Sequence, residues 1–334
     1  MSIVKEALSA LAAGEPLVHH NLAVFPLMGG RAGRPPYDTL KEALDAGTVT
    51  LTEVSEGGSV PRLALENRGE RPVLVIDGEE LVGAKQNRVL NLTILAPAGK
   101  SIEIPVSCVE QGRWGYRSRH FEDHGRVLFS KARAAKSARV SECRMHRGSS
   151  DSDQGEVWHH ISAKMEAMRV SSPSSAMEDI FTKNAPRLEE FVAAVRPLEG
   201  QAGAIFAING RIETVELFAW TDTLRRLLPK LVRGCAIDAL EEYRESVPAP
   251  ERPAVDAFLE QVAAAPAAPF EAVGLGEDLR LQAPGLTGGA LAVHGELLHL
   301  CAFRLPEEQS RRPVDDGGAI RRRRPRPGNP PPVI

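Results

Sequence analysis

The chain has 334 residues, 43% hydrophobic and 25% charged, a balance that suits about two globular domains. A formal net charge of −3 supplies no global drive toward nucleic acid or membrane, and 5% aromatic content disfavours a stacking platform for single strands. No run approaches the roughly 18 apolar residues that span a bilayer, the N-terminus lacks the long apolar segment of a secretory signal, and the four cysteines form no Cys-x-x-Cys pair, so the expectation is a soluble, reduced, cytoplasmic protein.

In chain order, residues 3–13 read as a short helix stopped by Gly14 and Pro16. Leu17–Leu27 reads as one strand containing His19 and His20. Adjacent strand residues point to opposite faces, so a regular strand cannot aim both imidazoles at one metal. The loop GGRAGRPP at 29–36 holds two arginines but is not a phosphate-binding G-x-x-x-x-G-K-[ST] loop. A helix over 37–46 is followed by short strands near 49–54, 62–67 and 72–76, at the spacing of an antiparallel β-sandwich or barrel.

The densest chemistry lies in PVLVIDGEELVGAKQNRVLNLTILAPAGKSIEIPVSCVEQGRW, residues 72–114. The Pro97-Ala98-Gly99 turn signal predicts a hairpin between 86–94 and 102–110. Matching apolar faces sets Ile94 opposite Ile102, Leu92 opposite Ile104 and Leu90 opposite Val106, with Arg88 opposite Cys108 and Gln86 opposite Glu110. The inner face therefore turns polar at the end far from the turn. A buried Arg88 and Glu110 need partners: either they pair with each other, or they line a cavity open to a ligand. A guanidinium beside Cys108 would favour its thiolate.

Residues 117–153 read as a polar, basic connector with little apolar periodicity. His120 and His124, with Glu122 and Asp123, give only a partial metal pattern, and no third ligand can be identified; no metal and no cofactor is expected. From Gln154 helical spacing takes over, with separate helices near 174–181 and 186–195. Asn209-Gly210 between apolar runs marks a second hairpin, 204–208 with 212–218. A long helix follows at 221–243 and another at 254–264. Strands near 270–273, 279–283, 290–294 and 297–303 complete an antiparallel sheet packed by helices. The expected class is α+β: a β-sandwich domain with its N-terminal helix (1–116), the connector (117–153), an α+β domain (154–305) and a disordered basic Pro-rich tail (306–334). In that tail Arg321, Arg322, Arg323 and Arg324 are the one stretch suited to nucleic acid or acidic partners.

EELVGAKQNR at 79–88 and PVSCVEQGRW at 105–114, with GAIFAINGRIETVELF at 203–218, resemble a bacterial family. It is named for its genomic association with ADP-ribosylglycohydrolases and rhodanese-type phosphatases. The resemblance covers roughly residues 16–304 and implies a link to ADP-ribose or NAD-derived metabolism. It assigns no catalytic residue.

Three functions compete. In a ligand-binding or accessory protein, Lys85, Gln86, Arg88 and Arg113 would hold a phosphate-bearing nucleotide such as ADP-ribose, Trp114 would stack on a flat ring, and Glu80 or Glu110 would accept ribose hydroxyls. In an enzyme, Cys108 would be the nucleophile, with Arg88 activating it and Glu110 or Glu80 as acid or base. In a non-catalytic partner protein, the C-terminal domain or tail would dock in a complex.

Overall fold

The computed structural model describes residues 2–245 and 247–305. The class is α+β, with three sheets and seven helices among the described residues. No helix among them is long and apolar enough to cross a membrane. The expected disorder and partner contacts of the tail, including Arg321–Arg324, fall outside the described residues.

The largest sheet has nine strands, all antiparallel. Its order is Ala12–Ala13, Leu22–Met28, Gln201–Ile208, Arg211–Phe218, Glu296–Arg304, Leu286–Val293, Glu277–Ala283 and Ala267–Glu271, with Leu17–His19 also pairing to Leu22–Met28. Its strands Leu22–Met28 and Gln201–Ile208 read as near-continuous apolar runs because both faces are covered. Leu22, Val24, Ala204 and Phe206 face a core shared with the helices Gln154–Ala167, Met177–Ala194 and Thr221–Glu241. The alternate residues Ala23, Phe25, Ile205 and Ala207 face a second core under the helices Ile3–Ser9 and Arg252–Ala264. The Asn209-Gly210 hairpin forms as expected, with both residues at positive φ (51° and 74°) and Ile208 opposite Arg211.

Residues 38–122 build a six-stranded sheet, ordered Phe121–Glu122, Glu80–Gly83, Arg88–Leu90, Lys100–Cys108, Arg62–Asn67, Val49–Glu53, and a three-stranded sheet, Ile94–Ala96, Val73–Val75, Asp38–Thr39. They enclose a third core of Leu51, Leu63, Leu65, Leu90, Ile104 and Phe121, among others.

Several expectations are corrected. The 86–110 hairpin forms only at its polar end: Leu90 opposes Val106 and Arg88 opposes Cys108. Ile102 and Ile104 instead oppose Leu65 and Leu63, and Ile94 opposes Val75. Asn91 and Thr93 draw the chain away between these pairings. Asn91 bonds Ser150 O and Ser107 Oγ, while Thr93 Oγ1 accepts from Asp77 N and contacts His299. The segment expected as one strand over 17–27 is a tight hairpin turning at His20-Asn21. The two helices expected at 174–195 are one, Met177–Ala194, with Pro186 inside it.

The basic connector contains an eighteen-residue helix, Ser130–Arg147, whose buried face carries Arg133, Lys136, Ser137 and Ser141 beside alanines. Its charges are matched by buried acids. Arg133 bonds Asp77 and Glu216, Lys136 Nζ donates to Asp77 Oδ2 (2.7 Å) and Asn91 O, and His299 Nε2 meets Glu216 (3.0 Å). The boundary expected near 116 is crossed by backbone ladders, because Leu22–Met28 lies beside Gln201–Ile208.

Candidate functional site

The run Glu80 to Arg88 leaves one strand of the six-stranded sheet, turns through Ala84–Asn87 and enters the next. The turn is held in an uncommon backbone. Gly83 sits at φ 136°, where a Cβ would stand 2.6 Å from His120 O, and Ala84 sits at φ 39°. The loop after Cys108 clamps it. Arg113 donates from Nη1 to Ala84 O (2.6 Å) and Gly115 O, and from Nη2 to Gly83 O and Asn87 Oδ1.

Arg113 also forms a bidentate pair with Glu110 (Nε–Oε1 2.8 Å, Nη2–Oε2 2.6 Å). Glu110 accepts further from Asn87 N (3.0 Å) and Ser174 Oγ (2.8 Å). Burial works to raise the Glu110 carboxyl, but these bonds outweigh it and hold it below the ordinary value. The expected choice between an Arg88–Glu110 pair and an open pocket thus resolves into neither. Glu110 is taken by Arg113.

Arg88 is left short of partners. It is fully buried, and Nη1 donates only to Gln86 Oε1 (3.2 Å) and Asn87 O (3.4 Å). Nε and Nη2 have none among the described residues, and the nearest carboxylate oxygen, Glu53 Oε1, stands 4.0 Å from Nη2. Glu53 Oε2 and Trp158 Nε1 are likewise buried and without a hydrogen-bond partner among the described residues. The Trp114 ring covers the guanidinium at 5.9 Å. Lys85 Nζ lies 5.3 Å from the Trp114 ring and 5.2 Å from that of Tyr116, and donates to Gly57 O. Trp114 and Tyr116 are 51% and 55% exposed, so a charged, donor-bearing floor lies under an aromatic surface open to solvent.

Cys108 lies at the floor, its Sγ 3.2 Å from Gln86 Oε1. Burial pushes its thiol above the ordinary value, although Glu110 N and the Arg88 charge act the other way. That environment disfavours a thiolate.

Glu80 sits on the far side of Asn87. It is fully buried, neither carboxyl oxygen has a hydrogen-bond partner among the described residues, and burial pushes its pKa to about 8. Arg126 opposes this weakly from 3.7 Å, because it also faces Glu178 at 3.3 Å. Asn87 joins the two halves: Nδ2 donates to Glu178, Oδ1 accepts from Gly83 N and Arg113, and its N–H serves Glu110. Its neighbour Glu79 is neutralised by Lys230, which also bonds Asp123 Oδ2 (2.7 Å).

A family model for the ARG and Rhodanese-Phosphatase-superfamily-associated Protein domain matches residues 10–303. The chain belongs to this family. No curated protein and no solved structure matches it. The family span contains strands of all three sheets and every candidate residue, and it stops before the basic tail.

Of the expected residues, Lys85, Gln86, Arg88, Cys108, Glu110, Arg113 and Trp114 come together, and Glu80 joins them through Asn87. Glu53, Asn87, Arg126, Trp158 and Glu178 were missed. Asn87 lies inside the motif itself, between Gln86 and Arg88. The others come from segments distant in sequence, and nothing local marks them. The His120/His124 pattern does not converge: His124 meets Glu122 and Glu178, each at 3.3 Å, while Asp123 is held by Lys230.

Proposed function

We propose that the protein is a ligand-binding or accessory protein for a phosphate-bearing nucleotide of the ADP-ribose type, working in the reducing cytoplasm. The observation that carries this reading is Arg88. A buried guanidinium with two unpartnered donor nitrogens is costly unless something completes it, and an anionic group would do so with paired, charge-assisted hydrogen bonds. Trp114 and Tyr116 supply the stacking surface for a base, and Lys85 adds charge beside them. Glu80 lies within the same network to meet a ribose hydroxyl. Glu110 and Arg113 shape the loop and leave the ligand to the others. Access requires the Trp114 ring to swing off Arg88. The free state of all four cysteines agrees with the compartment.

Calorimetry with ADP-ribose and with NAD tests this. Saturable binding should weaken by about ten- to a hundredfold in Arg88→Met, the range expected for hydrogen bonds to a charged group. Removing an unpaired buried charge should leave folding stability unchanged or raise it. Absence of heat and of any thermal shift with both ligands would rule the reading out.

A second reading, an enzyme acting on such a ligand through Cys108, is favoured by the register that sets Cys108 across from Arg88. The thiol's burial weighs against it. If the protein turns over ADP-ribose or NAD and Cys108→Ala keeps the full rate, that reading is dead. In the third, a partner protein docking through its C-terminal domain or its tail, the tail lies beyond the described residues.

A further inference from the structure

We propose that His19, His20 and Glu190 form a binding site for one divalent transition-metal ion of the zinc class. The site is separate from the Arg88 cluster and does not depend on it. One donor atom from each of the three side chains lies within 4.8 Å of the others. Zinc–ligand bonds of about 2.0–2.1 Å place tetrahedral ligands about 3.3 Å apart. His20 and Glu190 are exposed, so small side-chain rotations can close that gap.

The backbone brings the two imidazoles to one side. On a regular strand they would point to opposite faces. Here His19 ends the strand Leu17–His19, and His20 occupies the turn at φ 52°, a left-handed conformation uncommon for a residue with a side chain. The result is a ring-to-ring distance of 4.3 Å.

The turn is also fixed from below. Asn21 is buried and donates from Nδ2 to Ala239 O (2.9 Å) and to Asn209 Oδ1 (3.2 Å), while Asn209 N donates to Asn21 O (2.9 Å). The rings themselves are braced. His19 packs edge-on against Phe191 at 4.7 Å, and His20 packs against Tyr243 at 5.6 Å. Phe191 is the residue after Glu190 on the Met177–Ala194 helix, so the contact that positions His19 also positions the carboxylate.

The chemistry of the donors agrees with a metal. His19 Nε2 is buried and has no hydrogen-bond partner among the described residues, and an unbonded ring nitrogen is the form that ligates. Two imidazoles with one carboxylate suit zinc or a neighbouring transition metal and are a poor site for magnesium or calcium. Three protein ligands leave a coordination position for water or a small ligand.

The test uses untagged full-length protein stripped with a chelator, then dialysed against zinc chloride. The site should hold one zinc per chain by elemental analysis, and zinc, but not magnesium, should raise the unfolding temperature. His20→Asn suits the left-handed backbone while removing the imidazole, so it should fold as the parent does yet bind zinc at least about a hundredfold more weakly, at or above the most that losing a residue which only orients a ligand costs. Glu190→Gln should weaken zinc binding too, whereas a His159→Ala, His160→Ala double variant should not change it. No stoichiometric zinc, a dissociation constant weaker than about 100 µM, or unchanged zinc affinity in His20→Asn would each overturn the proposal.

Discussion

Glu80 and Glu110 show how position decides the state of a carboxyl. Both belong to the quoted motifs and both are buried. Glu110 accepts four hydrogen bonds, from Arg113 twice, Asn87 and Ser174, and stays ionised. Glu80 accepts none, and its pKa rises to about 8 from the ordinary 4.5. The sign of the linkage follows. The folded state holds the Glu80 proton more tightly than the unfolded chain, so the resulting stability is complete below about pH 4.5 and is lost as pH rises through 8. Glu80→Gln carries no such proton. It should unfold at the parent's temperature near pH 5 and at a higher temperature near pH 9, measured by thermal melts across that range. Equal melting shifts at both ends would show that Glu80 ionises freely. The motif made both residues visible. Their protonation was not legible, because it depends on Arg126, Glu178 and Ser174, which fold in from far along the chain.

The helix Ser130–Arg147 carries the same lesson at the scale of an element. Periodicity finds helices by their apolar stripe, and this one buries Arg133, Lys136, Ser137 and Ser141 among alanines. A basic connector is the natural reading of the sequence, since nothing local announces that Asp77 and Glu216 will meet those charges. The matching has an energetic consequence. Asp77→Ala would leave Lys136 and Arg133 without their shared carboxylate in a site closed to water, at a cost of about 3–5 kcal/mol. Urea unfolding should register that loss, whereas truncating the exposed pair Lys41–Asp45 should cost under about 1 kcal/mol. The hairpins were more legible. Asn209-Gly210 declared its own turn, and the Arg88–Cys108 register followed from matching the faces of two strands. What failed was the other half of that hairpin, because Leu63 and Leu65 present an apolar alternation to Ile102 and Ile104 as good as the one from Leu92 and Ile94.

Across the whole molecule, the N-terminal strand Leu22–Met28 is a member of the sheet whose other long strands lie beyond residue 200. Its two faces serve two cores most of whose members lie beyond residue 116. A fragment of residues 1–116 should therefore lack cooperative unfolding, followed by circular dichroism, since Leu22, Val24, Phe25 and Leu27 would lose their cover. A fragment that melts sharply on its own would show that the three-stranded sheet and the five strands it keeps of the six-stranded sheet suffice. The candidate site spans the same division: Glu53, Arg88 and Cys108 come from the early strands, Trp158 and Glu178 from later helices.

By itself the sequence determined what short-range physics can specify. It determined the α+β class, the turn at Asn209-Gly210, the alternating faces of the strands, and the placing of Arg88 across from Cys108. Tertiary structure alone decided which strand pairs with which, that Glu110 belongs to Arg113 and leaves Arg88 short of partners, that Glu80 is held neutral, and that His19 and His20 face one another. The physical reason is common to all four. Propensity and periodicity act over a few residues, whereas the pairing of strands, the anchoring of a turn and the burial and pairing of a charge are set by groups that are near in space and far along the chain.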